Sequence, residues 1–196
     1  MSPITHFLVG WVGLERTQAT HGDRMRVVLA GLMPDLDGLG IVVDFCTRLA
    51  GVAPTDYYQA WHRLYGHGLP AALVIAACAT WGATRRRTVA LAAFASVHLH
   101  LLCDLAGSRG STVDDLWGIW YFAPFSTALE WRWSGQWPLV GWVNTSITAV
   151  LIAMTLWRAA IHGYSPLALV HGGADAELVR TVRRWRGLPA GTTAGR

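Results

Sequence analysis

Two histidines and an aspartate interrupt an apolar run in the stretch His98-Leu-His-Leu-Leu-Cys-Asp104. On a helix, His100 and Asp104 stand four residues apart and share one face, one turn above the other. His98 lies roughly 200° round the axis from His100, so only one of the two histidines can join the aspartate. An imidazole and a carboxylate at this spacing make half of a metal site, or else a buried hydrogen-bonded pair.

Other chemistry-bearing residues stand elsewhere in the chain. His6 sits in the first turns of an N-terminal helix that begins at Ser2-Pro3, an N-cap followed by a first-turn proline. Asp35 and Asp37 follow Pro34 at the end of the apolar run Val27–Met33. Two carboxylates there are costly unless something pairs their charge. His62 and His67 flank Arg63 at the mouth of the next apolar segment. Five residues apart, they diverge by roughly 140° on a regular helix, so they converge only if the backbone loosens near Gly66 and Gly68. Arg63 and Arg109 are the arginines suited to hold an anionic oxygen such as a phosphate, although bracing a loop is an equal reading of Arg109.

The elements that must position these residues are apolar. Of 196 residues, 53% are hydrophobic and only 14% charged, against roughly 25% charged in an ordinary soluble domain. All sixteen basic residues are arginine, and nine of them gather at 24–26, 85–87 and 180–186 beside apolar runs. That is the pattern of a topology signal and not of a nucleic-acid footprint, so no nucleic-acid partner is expected. The cysteines Cys46, Cys78 and Cys103 form no metal or redox spacing and read as small buried hydrophobes. Residues 1–14 lack the basic start of a signal peptide.

The expected fold is all-α: a multi-pass helical integral membrane protein. Short helices of partial membrane depth and a helical hairpin, 69–84 and 88–106 about the Arg85–Arg87 turn, pack around a metal site. Pro54 and Asp56 mark a turn, residues 107–136 a long Trp-rich loop, and residues 137–160 the clearest span. Residues 1–164 form the membrane-embedded domain. Residues 165–196 add an amphipathic basic helix, lying on an anionic membrane face, and a disordered end at 187–196. With the arginines cytoplasmic, every candidate ligand falls toward the non-cytoplasmic side.

The order His6, Pro34-Asp-Leu-Asp37, His62-Arg63, His67, His100-Leu-Leu-Cys-Asp104 and Trp117 to Ser126 resembles the YdjM-like family of predicted membrane-bound metal-dependent hydrolases. The likeness covers roughly residues 1–160. It departs from the family's second histidine element where Leu64, Gly66 and Gly68 replace a glycine, a threonine and a serine. The resemblance implies a hydrolase in which His6, Asp35, Asp37, His62, His67, His100 and Asp104 serve the metal site.

Imidazoles with carboxylates suit zinc, with manganese or iron as alternatives. Seven such residues exceed one four-coordinate site, so two ions bind or some of the seven support the others. The metal would activate water, Asp37 would act as base, and Arg63 and Arg109 would hold an anionic or lipid-like ester. The competing reading is a metal-ion or proton transporter, or a metal-binding membrane protein without catalysis.

Overall fold

The computed structural model describes residues 1–18, 20–53 and 55–189 of the chain. The turn expected at Pro54 and the end of the tail, 190–196, lie outside the described residues. Helix α1 spans Pro3–Leu14, and the Ser2 hydroxyl accepts from Thr5 N at 3.3 Å as its cap. Helix α2 spans His21–Ala30, capped by Thr20 in the same manner. A 3-10 segment at Met33–Leu39 carries Asp35 and Asp37 into helix α3, Gly40–Leu49. Helix α4 is short, Tyr57–Trp61. Helix α5 covers Leu69–Ala79, α6 Arg86–Gly107, α7 Trp142–His162 and α8 Gly172–Trp185.

By length and composition α6 and α7 suffice to cross a membrane. Helices α1, α2, α3 and α5, of 10 to 12 residues, reach about half of a bilayer's ~30 Å apolar thickness. The hairpin is therefore unequal. Helix α5 stops at Ala79, five residues before the expected end. The chain turns through Gly82, whose φ of 65° is one that glycine adopts without strain.

The fold is helical but not wholly so. Within the expected loop, strand β1 (Ile119–Trp120) pairs antiparallel with β2 (Glu130–Trp131). Propensity could not flag two-residue strands, which packing holds: Ile119 is fully buried against Ala72, Val97 and Leu101. The cysteines also differ from expectation, with Cys46 and Cys78 exposed and Cys103 half-buried. They sit on outward helix faces, where a small apolar side chain meets the surroundings instead of the core.

The core is a seam of small residues. Val27 packs with Val89 and Ala92, and Ala30 with Ala76 and Ala93, so α2, α5 and α6 approach closely. Gly31 shows how closely: a Cβ there would stand 2.4 Å from Ser96 Oγ. Asn144, at the start of α7, donates to Gly107 O (2.9 Å) and Leu139 O (2.7 Å), fixing α7 to the end of α6. Helix α8 folds back on α7, where Arg183 Nε donates to Ala160 O. Val179 and Val182 of its apolar stripe are buried, while Trp185 stays exposed.

Candidate metal centre

Four elements deliver histidine and carboxylate groups to one place. Helix α1 brings His6, the 3-10 segment Asp35, the loop before α5 His67, and α6 both His100 and Asp104. His6, His67, His100 and Asp104 are all buried. Asp104 is the centre: Oδ1 lies 3.1 Å from His6 Nε2, and Oδ2 lies 3.2 Å from His100 Nε2 and 3.4 Å from His67 Nε2. The two Nε2 atoms of His67 and His100 are 3.2 Å apart. Asp35 Oδ1 stands 3.7 Å from His100 Nε2. The His6 and His100 rings stack with centroids 3.7 Å apart.

The partners of these groups fix their protons. His100 Nδ1 lies 2.9 Å from Gly31 O, a carbonyl that only accepts, so Nδ1 carries the hydrogen. His67 Nδ1 likewise donates to Asp37 Oδ2 at 3.0 Å. In each neutral ring Nε2 is then a lone pair, and both lone pairs point at each other and at Asp104. Such a set repels itself unless a cation sits within it. His6 makes the point independently. Both its ring nitrogens are buried without a hydrogen-bond partner, its approach to Asp104 being misaligned for one, and Asp35 Oδ2 is equally unpartnered. Buried polar atoms are rarely left in this state without a ligand. His6, Asp35, His100 and Asp104 can bring one donor atom each within 4.8 Å of one another. Two imidazoles and two carboxylates, with His67 Nε2 beside them, suit a divalent ion of the zinc type, so the residues fit the metal that the sequence implies.

A second group, Asp37 with His62 and His67, stands beside the first. Its hydrogen bonds give it a different character. Asp37 Oδ1 accepts from His62 Nδ1 at 2.7 Å, and Oδ2 from His67 Nδ1, Gly66 N (2.9 Å) and Arg63 N (3.2 Å). A carboxylate that accepts from two backbone N–H groups and two imidazoles is closed, and it orients His67 as carboxylates orient metal-binding histidines. Burial pushes the Asp37 carboxyl up, but the hydrogen bonds from His62 and His67 more than reverse this and hold it far below the usual range. Burial likewise raises Asp35, with His100 opposing and Asp104 adding to the rise. His67 is lowered by burial, yet the bonds to Asp104 and Asp37 lift it to about 9. The negative charge around that ring calls for a proton or a metal.

The loop that bends His62 toward His67 depends on Gly66, where a Cβ would fall 2.3 Å from Pro34 O. Arg63 sits in that bend with φ 83° and lays its guanidinium on the Trp117 ring, 3.8 Å from the centroid. Trp117 also packs edge-on against His62 and His67. Gln136 holds the Trp117 backbone at both N (2.8 Å) and O (2.6 Å). Arg109 lies in the loop after α6, where Nη1 donates to Thr112 O at 3.0 Å and the backbone pairs with Trp137 and Leu139. His98 turns away, bonding Phe94 O (2.9 Å) and the Tyr121 hydroxyl (3.0 Å).

Sequence reasoning missed several supporting residues. Ser108 Oγ donates to Asp104 Oδ1 at 2.7 Å, and the amino group of Met1 donates to both. The signal for Ser108 was its position four residues after Asp104. Gly31 and Gln136 carried no such signal, because their roles arise from contacts between distant segments, whereas Trp117 opens an element that the resemblance already marks.

Neither a curated protein nor a solved structure matches the chain. A family model described as YdjM inner membrane protein matches residues 1–178, from α1 into α8 and across every residue of the cluster. The chain belongs to the YdjM inner membrane protein family.

Proposed function

We propose that this chain is a multi-pass membrane hydrolase that uses one divalent metal ion, zinc before manganese or iron, to cleave an ester or phosphoester. The observation that carries the reading is the buried set of unsatisfied donors: both His6 nitrogens and Asp35 Oδ2, beside facing Nε2 atoms of His67 and His100. His6, His100 and Asp104, joined by His67 Nε2, would hold the ion, and Asp35, the remaining member of that group, would stay off it. When bound, it would polarise the substrate and lower the pKa of water to about 7.

The chain supplies the rest. Asp35, the one carboxylate of the group without closing partners, accepts the proton as water attacks the ester centre. It returns that proton to the leaving oxygen as the ester bond breaks. Asp37 takes no proton in this scheme; it holds His67 and His62 in place. Arg63, kept over Trp117, binds an anionic oxygen of the substrate. Arg109 braces the loop above the site.

Detergent-purified protein should hydrolyse a nitrophenyl phosphodiester, lose that activity to a chelator and regain it with Zn²⁺ or Mn²⁺. Metal flux in liposomes without hydrolysis across a broad ester panel would refute the enzyme and favour a transporter. The arginine distribution supports a metal end outside the cytoplasm. A cysteine at Ser111 should be labelled in intact cells and one at Arg86 should not; the reverse pattern would invert the orientation.

A further inference from the structure

Helix α3 is inside out. It buries Gly40 and Asp44, while Ile41, Val42, Phe45 and Leu49 are 53–73% exposed. Asp44 is buried for a reason: it accepts from Thr55 Oγ1 (2.7 Å), Tyr57 N (2.8 Å) and Tyr58 N (2.8 Å), and so pins α4 to α3. Leu36 and Leu39 continue the exposed apolar surface onto the same 3-10 segment that carries Asp35 and Asp37. Between α3 and α4 lies a cleft of about 320 Å³ lined by Ile41, Asp44, Phe45, Arg48, Asp56 and Tyr58. That is the lower end of the range for small-molecule sites.

Tyr58 is shared between this cleft and the metal centre. Its ring lines the cleft and stacks on His62 with centroids 4.8 Å apart, and His62 donates to Asp37. We propose that the α3–α4 cleft takes an acyl chain of an anionic membrane lipid, delivered sideways from the bilayer, with the lipid's polar head directed past Tyr58 toward Arg63 and the metal-binding residues. Exposed aliphatic and aromatic side chains on α3 suit hydrocarbon. Inside the cleft Arg48 is matched by Asp44 and Asp56, and beyond Tyr58 the guanidinium of Arg63 suits an anionic head. Membership of an inner-membrane family supplies the lipid. The inference deepens the hydrolase reading by naming its substrate class.

The test uses phosphatidylcholine vesicles containing phosphatidylglycerol with a photoreactive diazirine in one acyl chain. After reconstitution and irradiation, adducts located by mass spectrometry should concentrate on residues 41–58. Ile41→Trp, which fills the cleft from an exposed position, should reduce them several-fold. The same variant should keep its metal and its hydrolysis of a soluble nitrophenyl phosphodiester. Ile41→Asn, which leaves the cleft open but polar, should reduce the adducts as well. Adducts spread evenly over the outward faces of α6 and α7, or unchanged in both variants, would overturn the subsite. Concentrated, Ile41-sensitive adducts on a protein that hydrolyses nothing would support the subsite and sink the enzyme.

Discussion

The two ends of this bundle differ in whether their acids and histidines are all satisfied. At the arginine end, Glu15 accepts from the Tyr164 hydroxyl and lies 3.6 Å from Arg158. Asp23 accepts from Thr84 N (3.0 Å) and Arg85 N (3.2 Å), closing the α5–α6 turn. Asp175 accepts from both N and Oγ of Ser165 at 2.7 Å. Each of these acids is a joint between segments, complete without any ligand. At the other end, about 14 Å from Glu15 along α1 at His6, both His6 ring nitrogens and Asp35 Oδ2 are buried atoms without a partner among the described residues. Satisfaction, more than burial, separates the structural acids from the group that could hold an ion.

The largest effect that would sharpen this contrast is on turnover. Asp35→Asn should lower hydrolysis by about 10²-fold or more while most metal is retained, because only the proton acceptor is lost. In metal-free protein the same change should stabilise. Burial raises the folded-state pKa of Asp35 above 3.8, so the folded form keeps a proton that the unfolded form gives up. That destabilisation is absent below pH 3.8 and grows as pH rises through the raised pKa. Thermal unfolding of apo wild type and apo Asp35→Asn across this range should therefore diverge as pH rises. Curves that stay parallel would mean Asp35 is not strained by burial.

The converse should hold at the other end. Glu15→Ala leaves Arg158 and Tyr164 without their acid, and breaking such a buried pair costs about 3–5 kcal/mol. Thermal unfolding in detergent should show that loss with metal content unchanged. Loss of metal in parallel with loss of stability would mean that the two ends are not independent.

Much of the metal end was legible because it rests on local spacing. The i, i+4 relation of His100 and Asp104 follows from helix periodicity, and the same arithmetic turns His98 away to Tyr121. The glycines at 66 and 68 signalled that His62 and His67 need not diverge. What periodicity could not separate was Asp35 from Asp37. They stand two residues apart in one 3-10 segment, and only the return of the 62–67 loop closes one and leaves the other open. The outward face of α3 was equally hidden, since a short apolar run does not show which face turns inward, and Asp44 is the residue that does. The extent of α5 was misread because Thr80 to Ala83 are compatible with a helix by composition, whereas Gly82 turns the chain.

The central claim is that the donors around Asp104 exist to hold an ion. Elemental analysis of detergent-purified protein, with His100→Ala and His98→Ala beside the wild type, tests it most directly. Wild type and His98→Ala should each carry about one zinc-type ion per chain, and His100→Ala should lose at least about tenfold in metal affinity. Wild-type protein that takes up no divalent metal, or equal loss from both variants, would contradict the account.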